Sequence, residues 1–354
     1  MDRDQTDVLI AAVSQAAADG QAVSIVGSGS KSFLLPGTFA AASSRGGRLL
    51  NVSEHQGIIE YRPDELVITA RAGTPLKTIR QTLQREDQML PFEPPAFRDQ
   101  GTLGGVLAAG LSGSSRPWKG SLRDAVLGVR LINGQGELLR FGGSVVKNVA
   151  GYDVSRLQAG AYGTLGVLLD ISIRIIPIPR LQQTQVFAMP AAQALAQMRA
   201  WARQPLPISA MCHLDNAMSV RLQGAESAVR SAVIRLGGEA SIDADFWSRL
   251  DNHQHRFFQG DGTLLRQRPP PAQPLPENWS GLIEWAGAQR WQYQMEECSE
   301  PASGWLPFDH RFARAQCQAP GGNRLLGDYQ QRLRRAFDPQ QLFNPELGYA
   351  DNAA

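Results

Sequence analysis

The sequence predicts an α+β protein made of two folded parts and a C-terminal helix. Short apolar strand-like runs alternate with helical stripes through the first third of the chain. A glycine-rich stretch, residues 101–166, follows and holds 15 of the chain's 35 glycines. From Leu181 onward, alanine- and arginine-rich helical segments and short strands replace that pattern. The resulting boundaries are residues 1–179, 180–320 and 321–354.

The first elements follow from their apolar periodicity. A helical stripe that ends near Gly20 is formed by Val8, Leu9, Ala12, Val13 and Ala16. Residues 23–26 and 66–70 are predicted to be short strands. Thr74 suits the N-cap of a helix and Pro75 its first position. The apolar face of that helix is Leu76, Ile79 and Leu83.

The first strand is followed by a loop of small and charged residues: Gly27, Ser28, Gly29, Ser30 and Lys31. Its glycines allow backbone N–H groups to converge, its serines can donate hydrogen bonds, and Lys31 is positively charged. These properties are typical of a phosphate-binding loop. However, residue 32 is Ser where G-x-G-x-x-G requires Gly, and no glycine precedes the lysine as in G-x-x-x-x-G-K-[ST]. A tight surface turn is the alternative.

The glycine-rich stretch needs a local cause, because glycine weakens ordinary helices and strands. The usual cause is a backbone that passes close to a bound group. Several such points in one segment indicate a long, extended ligand. Within the stretch, residues 133–136 (NGQG) predict a hairpin turn between strands at residues 125–131 and 137–141. A strand containing Ile171, Ile173 and Ile175 closes the region before Pro177 and Pro179.

Residues 180–320 are predicted to form an α+β cap. Its helix covers residues 191–203, and its strands are residues 209–214, 218–222 and 282–291. The proline run at residues 269–276 is interpreted as a stiff surface loop, with a ligand for a proline-binding module as the alternative.

The C-terminal helix is predicted over residues 327–337. Tyr329, Leu333 and Phe337 share one face of it. Arg332, Arg334 and Arg335 could contact a partner chain, although a solvated helix face is the better default.

Composition excludes several classes of protein. The formal net charge of +2 gives no basic surface for nucleic acid. No apolar run reaches the roughly 18 residues of a membrane-spanning helix, and the N-terminus lacks the pattern of a secretory signal. Cys212, Cys298 and Cys317 are scattered, so neither disulfides, a metal site nor a chain-borne iron–sulfur cluster is expected. We expect a soluble protein of a reducing compartment.

The order of motifs along the chain carries a family resemblance. After the strand and GSGSK loop come V-x-x-x-A-G-T-P-L, L-P-F-E-P-P, G-T-L-G-G, G-x-x-R-D-x-V-L-G-V, K-N-V-A-G-Y-D and Y-G-T-L-G-V. This order resembles the FAD-binding domain shared by vanillyl-alcohol oxidase and p-cresol methylhydroxylase (PCMH). More narrowly, the chain resembles the smaller flavin-binding subunits of bacterial glycolate oxidase. The resemblance covers nearly the whole length, including residues 206–224 and 335–349.

The resemblance implies a two-lobed PCMH-type FAD-binding domain, an α+β cap, and a C-terminal helix that returns to the FAD domain. It implies that residues 27–31 wrap the pyrophosphate of FAD and that residues 102–113 lie along the cofactor. The implied cofactor-binding residues are Gly27, Ser28, Gly29, Ser30, Lys31, Thr102, Gly104, Gly105, Ser112, Gly113, Gly120, Asp124, Gly163, Gly166 and Val167. A flavin contact and a hydrogen-bonded core turn explain Lys147, Asn148 and Tyr152 equally well.

The chain departs from its relatives in its histidines. Many relatives attach flavin through a histidine in the region that matches residues 103–122, and this chain has none there. We therefore predict non-covalent FAD. Related hydroxy-acid oxidising flavoproteins carry a C-terminal G-D-G-N-x-H cluster, whereas residues 260–263 (GDGT) are followed by no histidine. His253 and His255 would face apart on a helix, and His310 is isolated, so no general base is assigned.

Three functions remain. In the first, the chain is an FAD-carrying subunit that relays electrons from a sister FAD-containing glycolate oxidase subunit towards an iron–sulfur subunit. In the second, it is a self-sufficient 2-hydroxy acid oxidase. In the third, it is a flavin-fold scaffold without cofactor. The missing histidine cluster favours the first over the second, and the glycine loops argue against the third. The complex would act on a small 2-hydroxy acid. We expect it in the cytoplasm, with any membrane association peripheral and through partners.

Overall fold

The computed structural model describes residues 2–35, 47–97, 100–143, 153–270, 273–295, 304–309 and 324–347. Residues 2–177 are called the N-terminal lobe below, and residues 181–307 the cap. The helices of the lobe are α1 (Thr6–Ala18), α2 (Leu76–Gln84), α3 (Leu103–Ala109), α4 (Arg116–Lys119) and α5 (Leu122–Ala125). Its strands are β1 (Val23–Val26), β2 (Arg48–Asn51), β3 (Ile58–Arg62), β4 (Val67–Arg71), β5 (Gln88–Met89), β6 (Val126–Ile132), β7 (Leu138–Gly142), β8 (Val167–Arg174) and β9 (Ile176–Pro177).

An antiparallel five-stranded sheet in the order β3-β4-β8-β6-β7 organises the lobe. Its central strand β8 is buried along most of its length, which explains the run of isoleucines there. The apolar faces of α2 and α3 pack on this sheet, with Ile79 and Leu107 fully buried. Beside the sheet, β1 and β2 form a parallel pair covered by Leu9, Val13 and Ala16 of α1.

The cap is an antiparallel eight-stranded sheet with three helices. Its strands are β10 (Leu181–Ala188), β11 (Ile208–Leu214), β12 (Ala217–Gly224), β13 (Glu239–Ala240), β14 (Thr263–Gln267), β15 (Leu282–Glu284), β16 (Gln289–Gln294) and β17 (Trp305–Pro307). Its helices are α6 (Ala191–Trp201), α7 (Glu226–Leu236) and α8 (Phe246–Asp251). The strand order is β13-β10-β12-β11-β15-β16-β14-β17.

The two faces of the cap sheet have different partners. Met211 in β11 packs with the apolar sides of α6 and α7. Its neighbours Ala210 and Cys212 point the other way, as strand alternation requires, and pack with Leu34 and Tyr162 of the N-terminal lobe. One apolar cluster therefore spans the junction between lobe and cap.

The C-terminal helix α9 (Arg324–Phe337) leads into a tail that joins the N-terminal lobe. The backbone N–H of Val23 donates to the Leu342 carbonyl at 2.7 Å, and that of Asn344 donates to the Val23 carbonyl at 2.9 Å. The Asn344 side chain accepts from the N–H of Ile25 at 2.9 Å. The tail thus extends the edge of β1, the strand that leads into residues 27–31.

Several predicted elements are confirmed with shifted ends, and four details are wrong. Thr74 does not cap α2, because its hydroxyl bonds to the backbone of Gly57, and Pro75 takes the cap position. The predicted strand at residues 282–291 is two strands, β15 and β16, with a turn between them. Val8 is 62% exposed and lies outside the core. The strands β2 and β3 were not predicted, because their exposed side chains show no clear alternation.

Short 3-10 helices complete the described structure, at Ser32–Leu34, Val154–Gln158, Arg256–Gln259, Trp285–Gly287 and Pro345–Leu347. Among the helices described, none combines the length and the apolar character needed to cross a bilayer.

Candidate functional site

A cleft lies between the end of β1, the start of α3 and the loop before β8. The predicted residues that line it are Gly27, Ser28, Gly29, Ser30, Lys31, Thr102, Gly104, Gly105, Gly163 and Gly166. The fold therefore brings three distant glycine-containing segments to one elongated cleft.

The first two segments meet at Thr102. The Thr102 hydroxyl accepts a hydrogen bond from the N–H of Gly105 at 3.2 Å and so caps α3. A Cβ added to Gly27 would lie 2.8 Å from that hydroxyl oxygen, and one added to Gly105 would lie 3.1 Å from it. Gly29 has a φ of +72°, which disfavours most other residues. Glycine at positions 27 and 105 therefore allows the close approach of Thr102 at this end of the cleft.

Lys31 supplies a buried positive charge at the cleft. Its side chain is 9% exposed, and its amine has no hydrogen-bond acceptor among the described residues. The amine lies 5.5 Å from the centre of the Phe97 ring. Burial, with a smaller contribution from the positive charge of Arg80, lowers the pKa of Lys31 from 10.5 to about 8. Such a group is stabilised by a bound anion.

Other glycines of the cleft are required by the protein itself. A Cβ on Gly104 would lie 2.8 Å from the Cβ of Ala72, and one on Gly166 would lie 2.7 Å from the carbonyl oxygen of Ile132. Gly163 has a φ of +76° and approaches the Asn344 side chain. The glycine density seen in the sequence thus has two causes, an open cleft and close packing of backbone segments.

The remaining predicted residues lie outside the cleft. Gly120 precedes α5 with a φ of +90°. The Asp124 carboxylate accepts from the N–H and hydroxyl of Ser121 at 2.9 and 2.7 Å, which caps α5 and lowers the pKa of Asp124. Val167 is fully buried in the core beside α1. These positions have structural explanations that sequence reasoning did not give.

Ser112 and Gly113 line a second, smaller cavity at the junction with the cap. A Cβ on Gly113 would lie 2.5 Å from the Glu93 carbonyl oxygen and 2.7 Å from the carboxyl carbon of Asp251. The close approach that requires glycine here is therefore made by the lobe backbone at Glu93 and by Asp251 of the cap. Asp251 accepts hydrogen bonds from the N–H and hydroxyl of Ser114, at 2.8 and 2.7 Å.

Buried acidic groups surround this junction. The Ser114 hydroxyl also lies 3.2 Å from Glu284, while Glu93 forms an ion pair with Arg221 at 2.8 Å. Burial and the negative charge of Glu93 raise the pKa of Asp251 to about 8. Burial likewise raises the pKa of Glu284. No sequence motif had pointed to Asp251 or Glu284, because they come from separate elements of the cap.

The described histidines are structural. His253 packs against Phe97, Phe258 and Trp291, and burial lowers its pKa to about 3, so the ring is neutral. His253 and His255 both come after the end of α8, so neither of them lies on an α-helix. Within the described ranges, no group of three or more His, Cys, Asp or Glu side chains could hold a metal ion. His310, Lys147, Asn148 and Tyr152 lie outside the described residues.

The large cleft fits an extended anionic cofactor such as FAD. It is lined by backbone at Gly27, Gly29 and Gly105, and Lys31 provides an unpaired cation for a pyrophosphate. Sequence reasoning missed several apolar lining residues, which carry no motif: Val26, Val52, Ala72, Ala108 and Leu168.

Comparison with known proteins identifies the family. The chain is 42% identical over 356 aligned residues to glycolate oxidase subunit GlcE of Escherichia coli (strain K12), with 98% of both chains covered. The chain belongs to the glycolate oxidase subunit GlcE family. Residues 4–142 match the FAD binding domain family, which confirms FAD as the cofactor.

More distant relatives share part of the chain. Glycolate oxidase subunit GlcD of Bacillus subtilis (strain 168) is 29% identical over 49% of this chain and 36% of its own length. The solved structure of alkyldihydroxyacetonephosphate synthase matches with a TM-score of 0.67 at 14% identity, over 96% of this chain and 75% of that one. This likeness confirms the predicted fold.

Proposed function

We propose that this chain is the FAD-binding subunit of a complex that oxidises glycolate or a similar 2-hydroxy acid to the 2-oxo acid. Its similarity to GlcE along nearly the whole chain carries the proposal. The partners in it are a sister FAD-containing subunit and an iron–sulfur subunit. In this arrangement the chain receives or relays electrons, and its contact with a membrane is peripheral and through those partners, on the cytoplasmic side.

The cleft residues hold the cofactor in this proposal. Lys31 and the backbone of residues 27–31 bind the pyrophosphate, and the backbone of residues 102–105 and 163–166 lies along the rest of FAD. Bound FAD supplies a two-electron acceptor. The proposed division into domains remains residues 1–179, 180–320 and 321–354.

The histidines that the structure describes give no evident base for a hydroxy acid. Removal of the hydroxyl proton by a positioned base contributes about 10²–10⁴-fold to such a reaction. His55 is fully buried and accepts from the Gln5 N–H, and His213 bonds to the Met189 carbonyl oxygen. No histidine is among the described residues that line the cleft. These observations support a relay role over a self-sufficient oxidase.

Anaerobic mixing with glycolate tests the proposal. The flavin spectrum of the isolated, FAD-loaded chain should stay oxidised on the seconds timescale. Adding the sister and iron–sulfur subunits should then permit reduction of this chain's flavin. Rapid bleaching of the isolated chain by glycolate would instead establish the self-sufficient oxidase.

The cofactor should be dissociable. No histidine or cysteine that could attach the flavin covalently is among the described residues that line the cleft. Acid precipitation of the purified protein should release all yellow chromophore into the supernatant. Colour retained by the washed precipitate would disprove non-covalent binding.

A further inference from the structure

Three arginines converge on one tryptophan where the lobe meets the cap. The guanidinium carbons of Arg116, Arg266 and Arg268 lie 4.6, 5.4 and 5.7 Å from ring centroids of Trp285. Arg116 comes from α4 of the lobe. Arg266 lies in β14 of the cap, and Arg268 is the first residue after that strand. Two separate parts of the chain thus place positive charge on the same indole.

Trp285 is held firmly in this position. Its indole N–H donates to the Gly113 carbonyl oxygen at 3.0 Å, and the ring is buried. Trp285 and Ala286 both have positive φ, 54° and 55°. Such a conformation is rare for a bulky residue and persists only where the surroundings enforce it. The indole therefore forms a fixed surface beneath the arginines.

Two of the three arginines have no polar partner for their side chains. Neither Arg116 nor Arg268 forms a side-chain hydrogen bond or an ion pair with the residues that the structure describes. Arg266, by contrast, donates to the Gln289 side-chain oxygen at 2.8 Å, and buried Arg221 has Glu93 as its partner.

The cluster is open to solvent on one side. Arg266 is only 3% exposed, Arg116 is half-buried, and Arg268 is exposed. A small solute can therefore reach Arg268 directly from solvent.

We propose that Arg116 and Arg268, above Trp285, form a binding site for the carboxylate of a small 2-hydroxy acid or 2-oxo acid. A planar guanidinium matches a carboxylate through paired N–H donors, and an anion relieves the repulsion among the three cations. The assignment of this ligand class rests on the proposed function. The chain then binds the acid without oxidising it, because no histidine is among the described residues that line the cofactor cleft.

Equilibrium dialysis of the FAD-loaded chain against radiolabelled glycolate tests this site. We expect saturable binding, with the flavin still oxidised in its visible spectrum. Arg268→Met should weaken binding at least about tenfold, since a hydrogen bond to a charged group is worth about 1.5–3 kcal/mol. Arg203→Met is the matched control, because Arg203 is exposed and distant in sequence from the cluster. Its binding should equal that of the wild type.

The variants and ligands in this experiment distinguish failure of the site, of its ligand class and of the relay function. Arg116→Met should also weaken binding, and the ratio of flavin to protein reports whether either variant still folds. Absence of saturable glycolate binding to the wild-type chain, or undiminished binding to Arg268→Met, would overturn the site. Tighter binding of inorganic phosphate than of glycolate would overturn its assignment to carboxylates. Flavin bleaching would overturn the relay function alone.

Discussion

At the scale of single residues, the cofactor cleft combines glycines, which have no side chain, with one buried positive charge that is unfavourable for folding. Gly29 has a φ of +72°, Gly27 allows the close approach of Thr102, and Lys31 keeps a buried amine without an acceptor among the described residues. Such a group lowers the stability of the protein without cofactor and contributes to binding once an anion arrives. Stability and function are therefore opposed at Lys31.

Replacing Lys31 by Met should separate these two effects. A pKa lowered from 10.5 to about 8 means that the charged amine costs roughly 3 kcal/mol below pH 8. We expect Lys31→Met to raise the melting temperature of the FAD-free protein at pH 7 and to weaken FAD binding at least about tenfold. The gain in stability should disappear between pH 8 and about 10.5, because wild-type Lys31 loses its proton there.

Lys77→Met provides the control for this prediction, because Lys77 is exposed on α2. Thermal unfolding across pH and titration with FAD measure both effects. Equal FAD affinity in Lys31→Met and the wild type would show that the amine does not hold the cofactor.

Gly29→Val should remove flavin from the protein. The substitution places a branched side chain at the cleft and adds about 1–2 kcal/mol of backbone strain at a φ of +72°. Gly20→Val is matched for strain, since Gly20 has a φ of +60° and no atom within 4 Å of an added Cβ. Only the Gly29 variant should purify with a low ratio of flavin to protein. Equal losses in both would indicate strain rather than a cofactor contact.

At the scale of elements, the C-terminal tail stabilises the strand that carries the GSGSK loop. The Asn344 side chain accepts from Ile25 N–H and donates to the Tyr162 carbonyl oxygen at 2.5 Å. It therefore joins β1 to the loop on the opposite wall of the cleft. Asp338 supports the turn before it, accepting from the N–H groups of Leu342 and Phe343.

Asn344→Ala should destabilise the protein and reduce its flavin content. Each buried backbone group left without a partner costs about 1–3 kcal/mol. Urea unfolding and the flavin-to-protein ratio would be compared with those of Gln340→Ala, which changes an exposed residue of the same tail. An unfolding midpoint identical to that of Gln340→Ala would show that Asn344 does not tie the tail to the lobe.

At the scale of the whole molecule, buried carboxyl groups make the docking of the cap depend on pH. Asp251 bonds to Ser114 of the lobe, and its pKa is raised from 3.8 to about 8. The folded protein thus holds this proton more tightly than the unfolded chain. Its contribution to the free energy of unfolding must fall as pH rises from about 4 to 8.

Asp251→Asn should remove this pH dependence. An amide oxygen can still accept from Ser114, but the side chain can no longer ionise beside Glu93. The melting temperature of the variant, relative to the wild type, should therefore be higher at pH 8.5 than at pH 5. Asp261→Asn, at an exposed position, should show no such trend. A difference that is the same at both pH values would contradict the raised pKa.

The sequence by itself determined the α+β class, most element positions and the segments that line the cleft. Periodicity located Leu9, Val13, Ile79 and Leu83 in the core because burial on one face of a helix leaves a regular pattern. The glycine-containing motifs were readable because each is local in the chain. Motif order and family resemblance together indicated FAD, which the family comparison confirmed.

Which glycines face the cleft and which face the protein depends on the tertiary fold. Gly113 is required by the Glu93 backbone and by Asp251, the latter more than a hundred residues away, and no local pattern records such a contact. The same holds for the arginines over Trp285, which are brought together by β14, α4 and the turn after β15. Local order follows from the neighbours of a residue in the chain, whereas buried charge clusters depend on how distant elements pack.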